Sequence, residues 1–205
     1  MKATEMYQRH YDDEPDWQQS EDDLFDESCE TIRGFALEHP ECVCSFFAFD
    51  CDAVYGDVNI NLDSAQNGFA EGQKYQDESI KWRTEKLVDA DSWRWAQAYF
   101  ALSMVEHSIS VSEFEFSCYG RRQFREWETF AFSSCYPKRE RDDDPGYLTG
   151  HVTLILWRVL ERLHDARIFE QLNLASPFRL GYEYHDDARG LVVTRIMNWT
   201  QFESR

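Results

Sequence analysis

The sequence predicts an α+β fold, in which a mostly antiparallel sheet with hairpins packs against several helices. Strand-like patterns cover residues 43–63, 108–117 and 178–197, and helix-like periods lie between them. Two of these regions contain consecutive strand patterns joined by a short turn, which is typical of a hairpin. Because hairpins and separate helices occur together, the order of elements favours α+β over a doubly wound parallel sheet.

The first predicted element is a helix that follows an acidic start. Residues 1–19 are polar and have no apolar period, so we expect a flexible acidic arm ahead of a single domain over residues 20–205. Ser20 can cap the helix, because its hydroxyl accepts free backbone N–H groups, and Pro40 bounds its other end. The face expected to be buried follows three- and four-residue steps: Leu24, Phe25, Ser28, Ile32, Phe35 and Ala36.

Two strands follow the first helix. Residues 43–50 are apolar on both alternating faces, which predicts a strand near the centre of a sheet. Residues 57–63 alternate strictly between apolar and polar side chains, so we expect the half-exposed arm of a hairpin that turns at residues 52–56. Residues 64–80 contain two glycines and many polar side chains, and they predict a loop or a weak helix.

The second half of the chain alternates between helical and strand patterns. The strongest helix is predicted over residues 147–163, where apolar side chains form one broad face. A closing hairpin is predicted from strands at 178–184 and 191–197 with a turn at 186–190. The remaining predictions are a helix at 91–106, a bulged strand at 108–117, a helix at 121–132 and a charged loop at 137–146.

Charge is the first functional signal. The 205 residues include 21 basic and 39 acidic side chains, a formal charge of −18. Residues 1–30 alone carry eleven acids against Lys2 and Arg9, which is half of the net charge. Because such a field repels polyanions, we expect no nucleic-acid partner. An acidic surface instead suits a basic protein partner, or it serves only to keep the chain in solution.

Hydropathy and cysteine content indicate in which compartment the chain acts and whether it binds a membrane or a metal. The longest apolar run, Ala98–Leu102, has five residues against the ~18–20 that a membrane span needs, so we expect no membrane partner. No signal-peptide pattern follows Met1, and we expect a cytoplasmic monomer or small homo-oligomer. The six cysteines include Cys42 and Cys44, but no second pair completes a zinc motif. Buried free thiols are therefore expected, with no metal and no cofactor.

One short motif points to catalysis. The segment Asp50-Cys51-Asp52 ends an apolar strand and resembles the DxD motif of haloacid-dehalogenase-type phosphatases. The resemblance implies a Mg²⁺-dependent phosphohydrolase in which Asp50 attacks phosphorus and Asp52 acts as acid and base. Those enzymes require a parallel sheet, whereas a hairpin pattern follows the motif here. The alternative is that both aspartates are turn residues, because carboxylates at strand ends favour turns.

The tryptophans give a further signal of binding. Trp82, Trp93, Trp95 and Trp127 lie within 46 residues, with arginines beside them. Trp and Arg are typical of the few side chains that dominate binding energy at protein interfaces. The same residues are also normal members of an aromatic core, so both interpretations stay open.

The order of several segments is similar to a known group of proteins. The helix end Glu38-His39-Pro40, the aromatic strand 45–50 and the Trp-rich stretches 81–83 and 92–95 resemble an uncharacterised bacterial family found among the immunity proteins of polymorphic toxin systems. SUKH-type immunity proteins occur in the same neighbourhood. The resemblance covers most of residues 20–200 in pattern. It implies a non-enzymatic α+β protein that binds and neutralises a cognate toxin.

These observations together predict a partner-binding surface. We expect the acids to attract a basic toxin surface over a distance and the tryptophans to anchor it. The acidic residues assigned to this role are Asp12, Asp13, Glu14, Asp16, Glu21, Asp22, Asp23, Asp142, Asp143 and Asp144. The tryptophans assigned to it are Trp82, Trp93, Trp95 and Trp127.

Overall fold

The computed structural model describes residues 13–86, 107–135, 145–185 and 190–198, and it confirms the α+β class. The helices are α1 (Trp17–Glu38), α2 (Ala65–Lys86), α3 (Arg125–Phe130) and α4 (Pro145–Asp165). The strands are β1 (Val43–Asp52), β2 (Asp57–Ser64), β3 (Phe116–Gln123), β4 (Asn173–Tyr184) and β5 (Val192–Met197). Short 3₁₀-helices cover Val111–Glu113 and Ile168–Gln171, and a short π-helix, Ala131–Cys135, extends α3.

The five strands form one mixed sheet in the order β3-β2-β1-β4-β5. The β1–β2 and β4–β5 pairs are antiparallel hairpins, as predicted, and β2 pairs antiparallel with β3. The central pair, β1 with β4, is parallel. The prediction that β1 lies at the centre of the sheet is therefore confirmed.

The main core lies between one face of the sheet and the helices α1, α3 and α4. From β1, Phe47 and Phe49 point into this core and are fully buried. Phe35 of α1 and Leu156 of α4 meet them from the helical side. The helical predictions for these segments hold because the apolar residues fall on one face, which packs against the sheet.

The opposite face of the sheet is covered in part by α2 and by residues 107–115. Phe46 and Ala48 of β1 pack there against Val111 and Phe114. Of the two alternatives predicted for 64–80, the helix is confirmed from residue 65 onward and the loop is wrong. The expectation that β2 is half-exposed is also wrong, since Asn61 and Asp63 on its polar face are buried.

The strand predicted at 108–117 forms only over its last two residues, 116 and 117, which begin β3. The helix predicted at 121–132 starts too early in the prediction. Residues 108–115 satisfy their backbone locally: Ser110 caps the 3₁₀ turn, and the Glu113 carboxylate accepts from the Ile109 N–H at 3.2 Å. Such side-chain bonds compete with pairing in a sheet. The strand runs instead through Gln123, because residues 120–123 pair with β2, and α3 starts only at Arg125.

The first helix also begins earlier than predicted. Asp16, not Ser20, caps α1 by accepting from the Gln19 N–H at 3.0 Å. The boundary predicted at residue 19 therefore falls inside a helix. The helix predicted at 91–106, residues 137–144 of the loop predicted at 137–146 and residues 186–189 of the predicted turn lie outside the described residues. Residues 145 and 146 of that loop belong instead to α4.

Candidate functional site

The acids at the start of α1 are bound by the protein's own arginines. Arg162 of α4 donates to Glu21 and to Asp22, both at 2.8 Å, and Arg158 lies 3.7 Å from Glu21. Arg122 of β3 forms an ion pair with Asp23. The Glu21 side chain is only 8% exposed, whereas that of Asp22 is 46% exposed, so what sets this cluster apart is that arginines already pair its carboxylates and join α1 to its neighbours.

The acids before α1 also have partners within the fold. Ser133 and Ser134 donate to Asp13, and these hydrogen bonds lower the pKa of its carboxyl. Glu14 accepts from the Trp17 indole at 2.6 Å and from the Tyr147 hydroxyl at 2.7 Å, while Asp16 caps α1. These contacts are structural, although Asp13 and Asp16 are exposed.

Trp127 is a core residue, so its assignment as a binding anchor is wrong. Its side chain is fully buried, stacks on Phe124 with ring centroids 4.2 Å apart, and donates to Ser20 Oγ at 3.0 Å. Trp82 lies in α2 within a stretch whose side chains are not described. The remaining predicted residues lie outside the described part of the chain: Asp12, Trp93, Trp95, Asp142, Asp143 and Asp144.

A cleft of about 410 Å³ opens on the face of the sheet that carries polar side chains. The strand register explains its composition, because Asp50 of β1 is paired with Glu183 of β4 and with Asn59 of β2. Residues paired across adjacent strands point to the same face. We call this site the sheet cleft, and its walls include Asp50, Asn61, Ser110, Cys118, Glu183 and His185.

The two carboxylates of the sheet cleft are held differently. Glu183 accepts from the Ser110 hydroxyl at 3.0 Å and from the Val111 N–H at 2.7 Å. It therefore anchors residues 107–115, which we call the covering segment because they cover this face of the sheet. Asp50 has weaker contacts: Asn59 Nδ2 lies 3.3 Å and His185 Nδ1 lies 3.4 Å from its Oδ2 atom. Asp50 is nevertheless only 8% exposed.

The Asp50 and Asp52 pair does not match the arrangement that the phosphatase resemblance implies. Asp52 Oδ1 accepts from the Val54 N–H at 3.1 Å and from the Tyr55 N–H at 3.2 Å, which is the role of a turn residue. Asp50 lies within the strand and is not part of the turn. Within the described ranges, no group of three His, Cys, Asp or Glu side chains is placed to hold a metal ion.

A second cleft, of about 530 Å³, lies where α1 ends and β1 begins. Glu38 accepts from the Tyr119 hydroxyl at 2.6 Å, and burial together with this bond raises the pKa of Tyr119 to about 12. Ser64 donates to Glu115, and Glu41 is exposed. We call this site the helix-end cleft, and its walls include Glu38, His39, Glu41, Ser64, Glu115 and Phe116.

The two clefts share one electrostatic property. Among the described residues that line them, five are Asp or Glu and none is Lys or Arg. The clefts are also close along the chain, since Phe116 lines one and Ser117 lines the other. Within the described residues, the walls of both clefts therefore hold carboxylates and no arginine or lysine, which is the opposite of the α1 cluster.

No local pattern in the sequence points to most of the cleft carboxylates. Glu183 and His185 join Asp50 only through the parallel β1–β4 register, which links positions more than 130 residues apart. Glu38 was noted in the sequence only as part of a helix end. An acidic residue two positions before a histidine at the end of a strand pattern was the one available hint for Glu183.

The cysteines agree in part with the sequence prediction. Cys29, Cys44, Cys51 and Cys135 are buried, Cys42 is half-buried and Cys118 is exposed, and none of these six cysteines forms a disulfide. Burial raises the pKa of the Cys42 and Cys44 thiols, so these two act as small apolar side chains.

Comparison of the chain with protein-family models, with curated proteins and with solved structures gives no match. No helix within the described residues has both the length and the apolar character needed to cross a membrane. The function must therefore be argued from the geometry of the clefts and from the sequence.

Proposed function

We propose that this chain is a binding protein for a basic protein partner, and that it acts in the cytoplasm as an immunity protein against a cognate toxin domain. The observation that carries the proposal is the pair of clefts whose described walls hold five carboxylates and neither Lys nor Arg. A basic surface placed over them finds acceptors without displacing an internal ion pair. A binding protein of this kind needs no catalytic residue.

Electrostatics favours a protein partner over a nucleic acid. The formal charge of −18 repels a phosphate backbone and attracts a basic surface over about 8 Å at physiological salt. Carboxylates at an exposed rim add only ~0.2–1 kcal/mol per pair. Concave sites exclude more water from a bound cation, so the clefts are better placed than the exposed acids to contribute affinity.

The two clefts occupy different places on the sheet. Asn61 lines the sheet cleft and Ser64 lines the helix-end cleft, and these residues are three positions apart on β2. Side chains at this separation on a strand point to opposite faces. Each cleft is therefore proposed as a separate contact point for a basic partner.

The proposal is tested by sequencing the genes beside this one and taking from them any secreted protein with a basic C-terminal domain. The basic C-terminal domain of a neighbouring secreted protein would be expressed in a bacterial host with and without this chain, and binding would be measured by calorimetry. We expect the chain to restore growth and to form a one-to-one complex that weakens as salt increases. A toxic neighbouring domain that neither binds this chain nor is neutralised by it would contradict the proposal.

A further inference from the structure

Asp50 is the least satisfied carboxylate in the buried part of the sheet. It is only 8% exposed, yet none of the described residues donates a hydrogen bond to its Oδ1 atom, and both contacts to Oδ2 are longer than 3.2 Å. Asp63 on the neighbouring strand shows the contrast. It is fully buried and accepts from Asn67 and Ser108 at 2.8 Å and from the Glu115 N–H at 3.2 Å.

The described walls around Asp50 carry acceptors and neither Lys nor Arg, and the His185 imidazole lies 3.4 Å from Asp50. Asn61 and Ser110 line the same cleft, and Glu183 adds a second carboxylate beside Asp50. Two carboxylates side by side on a sheet destabilise each other when no cation lies between them. The Asp50 Oδ1 atom is not fully buried, so a donor that also carries positive charge can reach it from the cleft.

We propose that the sheet cleft is a receptor for one arginine side chain of the basic partner, with Asp50 accepting from its guanidinium. This inference rests on the proposed function, because it names the contact that such a partner makes. It goes further in assigning the contact to one carboxylate and to one type of side chain. Asp50 is then a binding residue, not a catalytic one.

Arginine fits this cleft better than lysine does. A guanidinium presents five N–H donors in one plane, whereas an ammonium is a compact and more strongly hydrated charge. The acceptors of the cleft come from β1, β2, β4 and the covering segment, so they surround the cavity on several sides. A planar group with several donors can meet more of them at once.

The test uses three small probes on the full chain: the N-acetyl methylamides of arginine, lysine and citrulline. Citrulline has nearly the shape of arginine but no charge. Amide chemical shifts in NMR would report both the affinity and the position of binding. We expect the arginine probe to bind with a Kd on the order of 1 mM at residues of the sheet cleft, with lysine weaker and citrulline undetectable.

Two variants separate Asp50 from net charge. Asp50→Asn should weaken the arginine probe by about tenfold or more, whereas Asp26→Asn, an exposed change of equal charge on α1, should leave binding unchanged. Ser117→Arg places a guanidinium at the exposed rim of the cleft and should also block the probe. This variant decides the question if Asp50→Asn does not fold.

The outcomes distinguish this inference from the proposed function. Shifts spread over the whole surface, or an arginine probe that binds Asp50→Asn as well as it binds the wild type, would overturn the arginine receptor. If the cognate toxin still binds in that case, the proposed function stands and only the contact is wrong. If the probe binds in the cleft but no neighbouring basic domain binds, the proposed function fails instead.

Discussion

The start of α1 and the two clefts are both acidic, but they differ in what surrounds their carboxylates. Glu21, Asp22 and Asp23 are paired with Arg158, Arg162 and Arg122 from other elements of the fold. The carboxylates of the sheet cleft and the helix-end cleft have only hydroxyl, amide, backbone and imidazole neighbours among the described residues. A count of acids along a sequence therefore does not locate a binding surface.

The difference has a physical cause. A buried carboxylate such as Glu21 is stable only with a partner, because removing a charge from water costs several kcal/mol. Arginines supplied by β3 and α4 satisfy this requirement and join those elements to α1. In the clefts, Glu41 and Glu115 are exposed, and the less exposed Asp50 and Glu183 accept hydrogen bonds from neutral groups, so the fold accommodates these carboxylates without an arginine.

The largest expected effect concerns Trp127, which the sequence placed among the binding anchors. Trp127→Ala should lower the free energy of unfolding by about 3–5 kcal/mol, because it leaves a cavity beside Phe124 and removes the donor to Ser20. Chemical denaturation followed by circular dichroism measures this loss.

The matched control for Trp127 is another tryptophan on the helical side of the molecule. Trp157 of α4 is 49% exposed, and Trp157→Ala should cost about 1 kcal/mol or less. If the two variants lose equal stability, or if Trp127→Ala weakens only binding, then Trp127 is not the core residue described above.

A smaller effect is expected at Asp63, which fastens the covering segment to the sheet. Asp63→Ala should lower the free energy of unfolding by about 2–3 kcal/mol, because it removes the acceptor for the buried Ser108 hydroxyl and for Asn67. Asp63→Asn keeps an acceptor in place and should cost less. Thermal or chemical unfolding of the wild type, Asp63→Ala and Asp63→Asn gives the order of their stabilities.

The stability difference between the wild type and Asp63→Asn, measured as a function of pH, tests the burial of Asp63. Burial raises its pKa, although hydrogen bonds from Asn67 and Ser108 oppose the shift. Between the ordinary pKa of an aspartate and this raised value, the folded state keeps a proton that the unfolded chain releases, so stability decreases as pH rises through the interval. Asp63→Asn should therefore gain stability relative to wild type across it. A difference that does not vary with pH would contradict the raised pKa.

Local patterns predicted the elements whose environment is set by their own residues. The apolar period of α4 and the doubly apolar β1 each find the cover that the pattern requires. The strand prediction for 108–117 failed over most of its length because backbone N–H groups there bind carboxylates, as Ile109 does with Glu113 and Val111 with Glu183. Alternation of polarity along the sequence cannot show such bonds. The start of β3 could not be found either, since pairing with β2 decides it.

The site was harder to predict than the fold. The sequence points to Asp50 only as part of a phosphatase-like motif. The residues that surround it are decided by the strand register, which the motif does not reveal. Among the acids predicted to bind, Glu21, Asp22 and Asp23 differ from the cleft acids in having arginines beside them in space. Those arginines lie about 100 to 140 residues away in sequence, so no local pattern reveals the pairing.

The most direct test of the two regions is the dissociation rate of the complex with the cognate basic partner. Two folded triple variants, Asp16→Asn/Asp22→Asn/Asp23→Asn on α1 and Glu38→Gln/Asp50→Asn/Glu115→Gln in the clefts, each remove three charges. Long-range attraction changes equally in both, so association should slow to a similar extent. Loss of contacts appears instead in dissociation. We predict that the cleft variant dissociates about tenfold faster and that the α1 variant dissociates like wild type; the reverse result would contradict the account.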